Sequence, residues 1–157
     1  MKLSPHFTLA EFTRSETAAR RGLPNQPGNL HISRMRALCV QILEPVREHF
    51  SVPVTVISGY RSQQVNRAVG GSQTSQHMQG EAADVTVWGY GVADVYNWIA
   101  FYSGLDYDQI IHEFGSWVHV SFTERRPNRN MALRAYRHNG TTRYARVYEP
   151  LDRDDIA

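Results

Sequence analysis

Three side chains in this sequence have the chemistry to hold one divalent metal between them: His77, Asp84 and His119. Imidazole nitrogen and carboxylate oxygen both suit zinc, and a set of only three protein ligands leaves a fourth tetrahedral position open. That is the pattern of a catalytic site, since structural sites are closed by a fourth protein ligand. Asp84 is the most telling of the three. It interrupts the otherwise apolar run Ala82-Ala83-Asp84-Val85-Thr86-Val87, and a carboxylate in such a run is costly unless paired or metal-bound. Cys39 is the only cysteine, so an intramolecular disulfide and a cysteine-based zinc site are both excluded. It falls in an apolar helical stripe and reads as a small buried hydrophobe.

The elements that must position these residues follow from periodicity. Strand alternation over Ala82 to Trp88 puts Ala82, Asp84 and Thr86 on one face and Ala83, Val85 and Val87 on the other. Over Trp117 to Phe122 the same rule groups Trp117, His119 and Ser121 opposite Val118, Val120 and Phe122. With the valines in the core, Asp84 and His119 project from the polar side. Gln109 to Phe114 and Trp117 to Phe122 read as strands joined by a tight turn at Gly115-Ser116. His77 lies in a Gly/Ser/Gln-rich loop, 70–80, ahead of the strand that carries Asp84.

The remaining pattern frames these strands. Thr8 and Glu11 have capping-box spacing, with Phe7 and Phe12 as a hydrophobic staple. Arg20 to Gly28 reads as a loop. A long helix over about 30–50, capped by Asn29, carries Ile32, Met35, Leu38, Cys39, Ile42, Leu43, Val46 and Phe50 at helical spacing. Pro45 should kink or interrupt its last turns. Val54 to Ile57 reads as a buried strand, Ser62 to Ala68 as a short capped helix, and Val92 to Tyr102 as another helix. Met131 to Arg137 and Thr141 to Val147 form a hairpin around Asn139-Gly140. The acidic tail, about 149–157, is expected to fray. Trp88, Trp98 and Trp117 are expected in the core or a cleft wall. With no repeat and no linker, residues 1–157 form one α+β domain, N-terminal helices packed on a small, mainly antiparallel sheet.

Composition narrows the class. The chain has 157 residues, 41% hydrophobic and 20% charged, which fits one globular core. A net charge of +2 is too mild to argue for a nucleic-acid partner. No apolar run is long enough for a membrane span, and residues 1–10 lack a secretory signal. Synthesis in the cytoplasm and a monomeric state are the expectations. Arg125, Arg126, Arg129, Arg134, Arg137, Arg143 and Arg146 crowd the C-terminal third. They read as a solvated sheet face, or as an attraction for an anionic polymer.

The segment Ser75-Gln76-His77-Met78-Gln79-Gly80-Glu81-Ala82-Ala83-Asp84 fits Ser-x-His-x-x-Gly-x-Ala-x-Asp. This resembles the signature of the zinc D-Ala-D-Ala carboxypeptidases, a family of peptidoglycan peptidases. Trp117-Val118-His119-Val120-Ser121 resembles the strand bearing that family's second zinc histidine, and Ser58-Gly59-Tyr60-Arg61-Ser62 with Asn66 resembles the stretch before the first ligand. The motif core is 54–122, closest to compact bacterial and phage members with the hedgehog/DD-peptidase-like fold. The resemblance implies one zinc ion on His77, Asp84 and His119, and a zinc-polarised water attacking a peptide bond of a peptidoglycan stem peptide or crosslink. The enzyme would be a D,D-carboxypeptidase or an endopeptidase. A phage lysis enzyme, released to the cell wall by a holin, fits the missing signal. The alternative is a zinc-containing peptidoglycan-binding module without turnover.

Such a reaction needs a carboxylate to carry the water proton to the leaving amine. Some family members place a glutamate three residues before the second histidine, where this chain has Ser116. Glu113 is the candidate base in its place, with His112 as the alternative base or substrate-binding donor. A two-residue turn at Gly115-Ser116 would set His112 opposite His119, and a three-residue turn at 115–117 would set Glu113 there. The resemblance makes Arg61 a contact for the substrate carbonyl or its developing charge, a task guanidinium donors suit. Ser75 either touches substrate or caps the loop. Gly80 and Ala82 are expected to matter through small size beside the metal.

Overall fold

The computed structural model describes residues 1–152. In chain order the elements are β1 (Lys2–Ser4), β2 (Phe7–Thr8), α1 (Leu9–Thr13), α2 (Glu16–Arg21), α3 (Asn29–Leu38), α4 (Glu44–Phe50), β3 (Val54–Ser58) and α5 (Gln63–Ala68). Then follow β4 (Ala82–Val87), α6 (Val92–Asn97), β5 (Gln109–Glu113), β6 (Trp117–Ser121), β7 (Met131–His138) and β8 (Thr141–Arg146). Six strands form one sheet in the order β3-β4-β6-β5-β7-β8. Every ladder is antiparallel except the parallel β5/β7 pair. The architecture is the expected α+β domain, with the helices on one face of a mainly antiparallel sheet. No helix among the described residues is long and apolar enough to cross a membrane.

The long helix runs from 29 to 50, but its middle widens into a π-helical turn, Cys39–Leu43. There the Glu44 N–H bonds the Cys39 carbonyl, five residues back. Pro45 has no N–H to offer, and its ring would crowd the carbonyl four residues earlier. Widening the turn just ahead of it lets the helix pass the proline unbroken. Gly28, not Asn29, is the N-cap residue, and the His31 ring accepts the Gly28 N–H at 3.3 Å. A second π turn, Trp98–Tyr102, ends the α6 segment.

Met35, Leu38, Cys39, Ile42, Leu43 and Val46 are all fully buried against Val56, Ala83, Val85, Ile110, Val118 and Val120. Burial pushes the Cys39 thiol up to about 12, so it behaves as the expected hydrophobe. The capping box at Thr8 and Glu11 forms, and Asn139 and Gly140 turn β7 into β8 with positive φ at both positions. Two expectations fail at the periphery. Trp88 lies past the end of β4 and is 73% exposed. The tail is pinned where it is described, because Asn97 exchanges two hydrogen bonds of 2.8 Å with the Leu151 backbone. Residues 153–157 lie outside the described part.

Candidate metal centre

Asp84 on β4 and His119 on β6 are direct partners in the antiparallel ladder, so their side chains leave the same face side by side. His77 comes from a 3-10 turn, Gln76–Gln79, whose start is capped by Ser75: its hydroxyl accepts the His77 N–H at 3.2 Å. The turn ends at Gly80, which takes φ +75 and lies so close to the His31 carbonyl that a Cβ there would meet it at 2.6 Å. Gly80 is therefore required by its backbone conformation and by the long helix, rather than by room beside the metal.

The three ligand atoms converge within 4.8 Å of one another, the one such cluster among the described residues. His77 Nε2 is 3.4 Å and His119 Nδ1 is 3.0 Å from Asp84 Oδ1. Metal–ligand bonds of about 2.0–2.1 Å imply edges of roughly 3.3 Å in a tetrahedral zinc site, so the spacing fits such an ion. His77 Nδ1 lies 2.7 Å from the Gly59 carbonyl. A carbonyl only accepts, so Nδ1 carries the proton and the Nε2 lone pair is turned toward Asp84. Burial pushes the His77 imidazole down against the pull of Asp84, keeping that lone pair free. Burial alone would raise the Asp84 carboxyl, but His119, hydrogen-bonded to it at 3.0 Å, holds it well below the usual range. A neutral imidazole and an ionised carboxylate are the forms that ligate a metal.

The turn after β5 settles which neighbour faces this cluster. Phe114 and Gly115 both take positive φ, and Glu113 pairs with Trp117. The loop is therefore Phe114 to Ser116, one residue earlier than either anticipated turn, and Ile111 is the residue opposite His119. Arg137 lies over the displaced Phe114 ring, 5.1 Å from its centroid. By alternation Glu113 shares the face of His119 and Asp84. Burial and the nearby Asp84 charge push its carboxyl above the ordinary glutamate value. His112 points the other way, 4% exposed and edge-on to Tyr96 in the core. The expectation that His112 binds substrate is thus corrected: strand parity buries it.

The triad opens into a cleft of about 860 Å³ walled in part by Arg61, Ser75, Glu113, Trp117 and Tyr144. The Arg61 guanidinium is 3.6 Å from Asp84 and is steadied by Ser58 and Asn66 at 3.3 and 3.4 Å. Asn66 is buried and ties down the 70–75 loop through the Ser72 carbonyl at 2.9 Å.

Sequence reasoning missed several supports. Asn25, inside the segment read as a plain loop, donates to the Thr13 and Tyr60 carbonyls and accepts the Ser62 N–H at 2.7 Å. Its place between Pro24 and Pro27 was the available signal. Glu81, an unassigned position of the motif, is fully buried and held by Thr123 and a bidentate Arg125. Asp108, also fully buried, binds Arg126 and Arg129. Arg125, Arg126 and Arg129 keep 39–44% of their side-chain surface exposed, but each is paired to a buried carboxylate and sits on the loop between β6 and β7 rather than on the sheet face anticipated for it.

Comparison with curated proteins gives no significant match. The model of one protein family, Peptidase M15, matches residues 5–121, a span that holds β2 through β6 and with them His77, Asp84, His119 and Glu113. A match over that much of the chain, agreeing with two histidines and an aspartate gathered at an open cleft, places this protein in the Peptidase M15 family of zinc metallopeptidases.

Proposed function

We propose that this protein hydrolyses a peptide bond in the stem peptides or crosslinks of bacterial peptidoglycan, with one zinc ion on His77, Asp84 and His119. The observation that carries the reading is a carboxylate, Glu113, on the same sheet face as a three-ligand centre open to a cleft. Bound there, zinc would polarise the scissile carbonyl and make a water nucleophilic near neutral pH.

The protein's own groups supply the rest. Glu113 takes the proton from the attacking water and passes it to the leaving amine; its raised proton affinity suits both halves of that task. Arg61 stands 3.6 Å from Asp84 in the cleft wall, and its guanidinium donors meet the charge that develops on the carbonyl oxygen. Gly59 holds the His77 tautomer through its carbonyl. Ser75 contributes as the cap of the His77 turn. The non-catalytic reading drew its force from Ser116 at a position where relatives carry a glutamate. Glu113, two residues beyond Ile111 on the metal side, supplies the carboxylate that Ser116 cannot. A phage lysis setting, with release to the cell wall, remains our reading of where the enzyme works.

The test is Glu113→Gln. The variant keeps one zinc per chain, because Glu113 is not a ligand, and loses about 10²–10⁴-fold in turnover of purified peptidoglycan, the usual contribution of a positioned base. Full activity in a zinc-loaded Glu113→Gln protein removes Glu113 from the mechanism.

A further inference from the structure

One end of the cleft is built from charge. Arg125, Arg126 and Arg129 all line it, and each is fixed from behind by a buried carboxylate. Arg125 grips Glu81 at 2.6 and 3.0 Å. Arg126 and Arg129 share Asp108 at 2.7–3.1 Å, and the Arg129 backbone N–H adds a further bond at 3.0 Å. The anchors are 0–1% exposed, whereas the arginine side chains keep 39–44% of their surface. Three guanidiniums therefore share two carboxylates. Their positions are set before any ligand arrives, and each has N–H donors beyond those its anchor accepts. The other carboxylates of the segment, Asp106 and Glu124, are not part of the cleft wall.

We propose that these arginines form a subsite for a free carboxylate of the peptide substrate, two to three residues away from the bond that is cut. The proposal rests on the peptidase reading above. Its spacing comes from the strands. Asp108 bonds the Ser121 carbonyl, two residues beyond His119, and Glu81, three residues before Asp84, accepts the Phe122 N–H. At about 3.3 Å per residue the anchors lie roughly 7–10 Å from the metal ligands along the sheet. The carboxylate of a departing C-terminal residue is only about one residue, roughly 3.8 Å, from the scissile carbonyl, too close to reach this subsite. The arrangement suits an acidic residue within the stem peptide, and hence an endopeptidase.

The experiment is calorimetric titration of the full-length, zinc-loaded Glu113→Gln protein with three synthetic stem-peptide fragments. One has all carboxylates free, one has only its C-terminal carboxylate amidated, and one has only its internal acidic carboxylate amidated. Internal amidation is expected to weaken binding about tenfold, the size of one charge-assisted hydrogen bond; C-terminal amidation changes it less than twofold. Adding Arg126→Gln, which leaves Asp108 paired with Arg129, erases the internal preference. A purely structural role predicts a lower melting temperature with the preference intact, and that result overturns the proposal. So do equal affinities for the three fragments, a loss confined to C-terminal amidation, or no binding of any fragment. Binding is read without turnover, so a charge preference in a protein that cuts nothing would sink the peptidase reading and leave the subsite standing.

Discussion

Asp108→Asn probes the interior charge that fastens the 123–130 loop to the sheet. Asp108 is fully buried and accepts five hydrogen bonds from Arg126 and Arg129. Breaking a buried pair by removing one partner costs roughly 3–5 kcal/mol. The arginine side chains are 39% and 41% exposed and can rehydrate, which sets the expected loss at the low end, about 3 kcal/mol. At roughly 3 °C per kcal/mol for a domain of this size, the melting midpoint falls by about 9 °C at pH 7. The sign with pH is fixed too. Burial would raise the Asp108 carboxyl, but Arg129 and Arg126 hold it well below its ordinary 3.8. Its ionisation therefore stabilises the fold fully above about pH 4, and the contribution is lost as pH falls toward the depressed native value. Between pH 7 and pH 3 the gap between wild type and variant should shrink by about 1 kcal/mol. Thermal melts monitored by circular dichroism at pH 7, 5, 4 and 3 read both effects. Equal midpoints at pH 7, or a gap that widens on acidification, would refute the reasoning.

Zinc at about 100 times its Kd should stabilise the protein by about 2.7 kcal/mol, roughly 8 °C, and His77→Ala should abolish that response in the same thermal-shift assay. Gly59→Ala should weaken zinc binding, measured by competition with a chromogenic chelator. A Cβ at Gly59 would meet the Phe12 carbonyl oxygen and ring at 2.7 Å, displacing the carbonyl that orients His77; unchanged affinity would show that this bond does not set the ligand. Arg61→Lys should keep zinc and lower kcat about tenfold, since one ammonium cannot reproduce the guanidinium fork. An unchanged kcat would confine Arg61 to structure.

The parts of this fold set by local chemistry were readable in the residues. Asp84 in an apolar strand, His119 on a strand of alternating valines and the spacing back to His77 picked out the three side chains that the fold gathers into one cluster, because strand parity depends on nothing beyond the strand itself. The capping box at Thr8 and the Asn139-Gly140 turn are local in the same way. Long-range partners were not readable. Nothing near Asp108 in sequence announces that Arg126 and Arg129 fold back onto it, and Glu81 looks like any exposed acidic residue until Arg125 and Thr123 close over it. The β5–β6 turn fell between the two kinds. Gly115 marked a turn, but the positive φ of Phe114, a residue with no intrinsic taste for it, moved the register by one.

The most direct measurement is mass analysis of purified peptidoglycan after incubation with the zinc-loaded protein, beside chelated protein and Glu113→Gln. New amine and carboxyl ends at one defined position of the stem peptide or crosslink should appear with the zinc-loaded protein. They should vanish on chelation and fall about 10²–10⁴-fold with Glu113→Gln. Peptidoglycan recovered intact from a protein carrying one zinc per chain would contradict hydrolysis and leave a zinc-containing binding module.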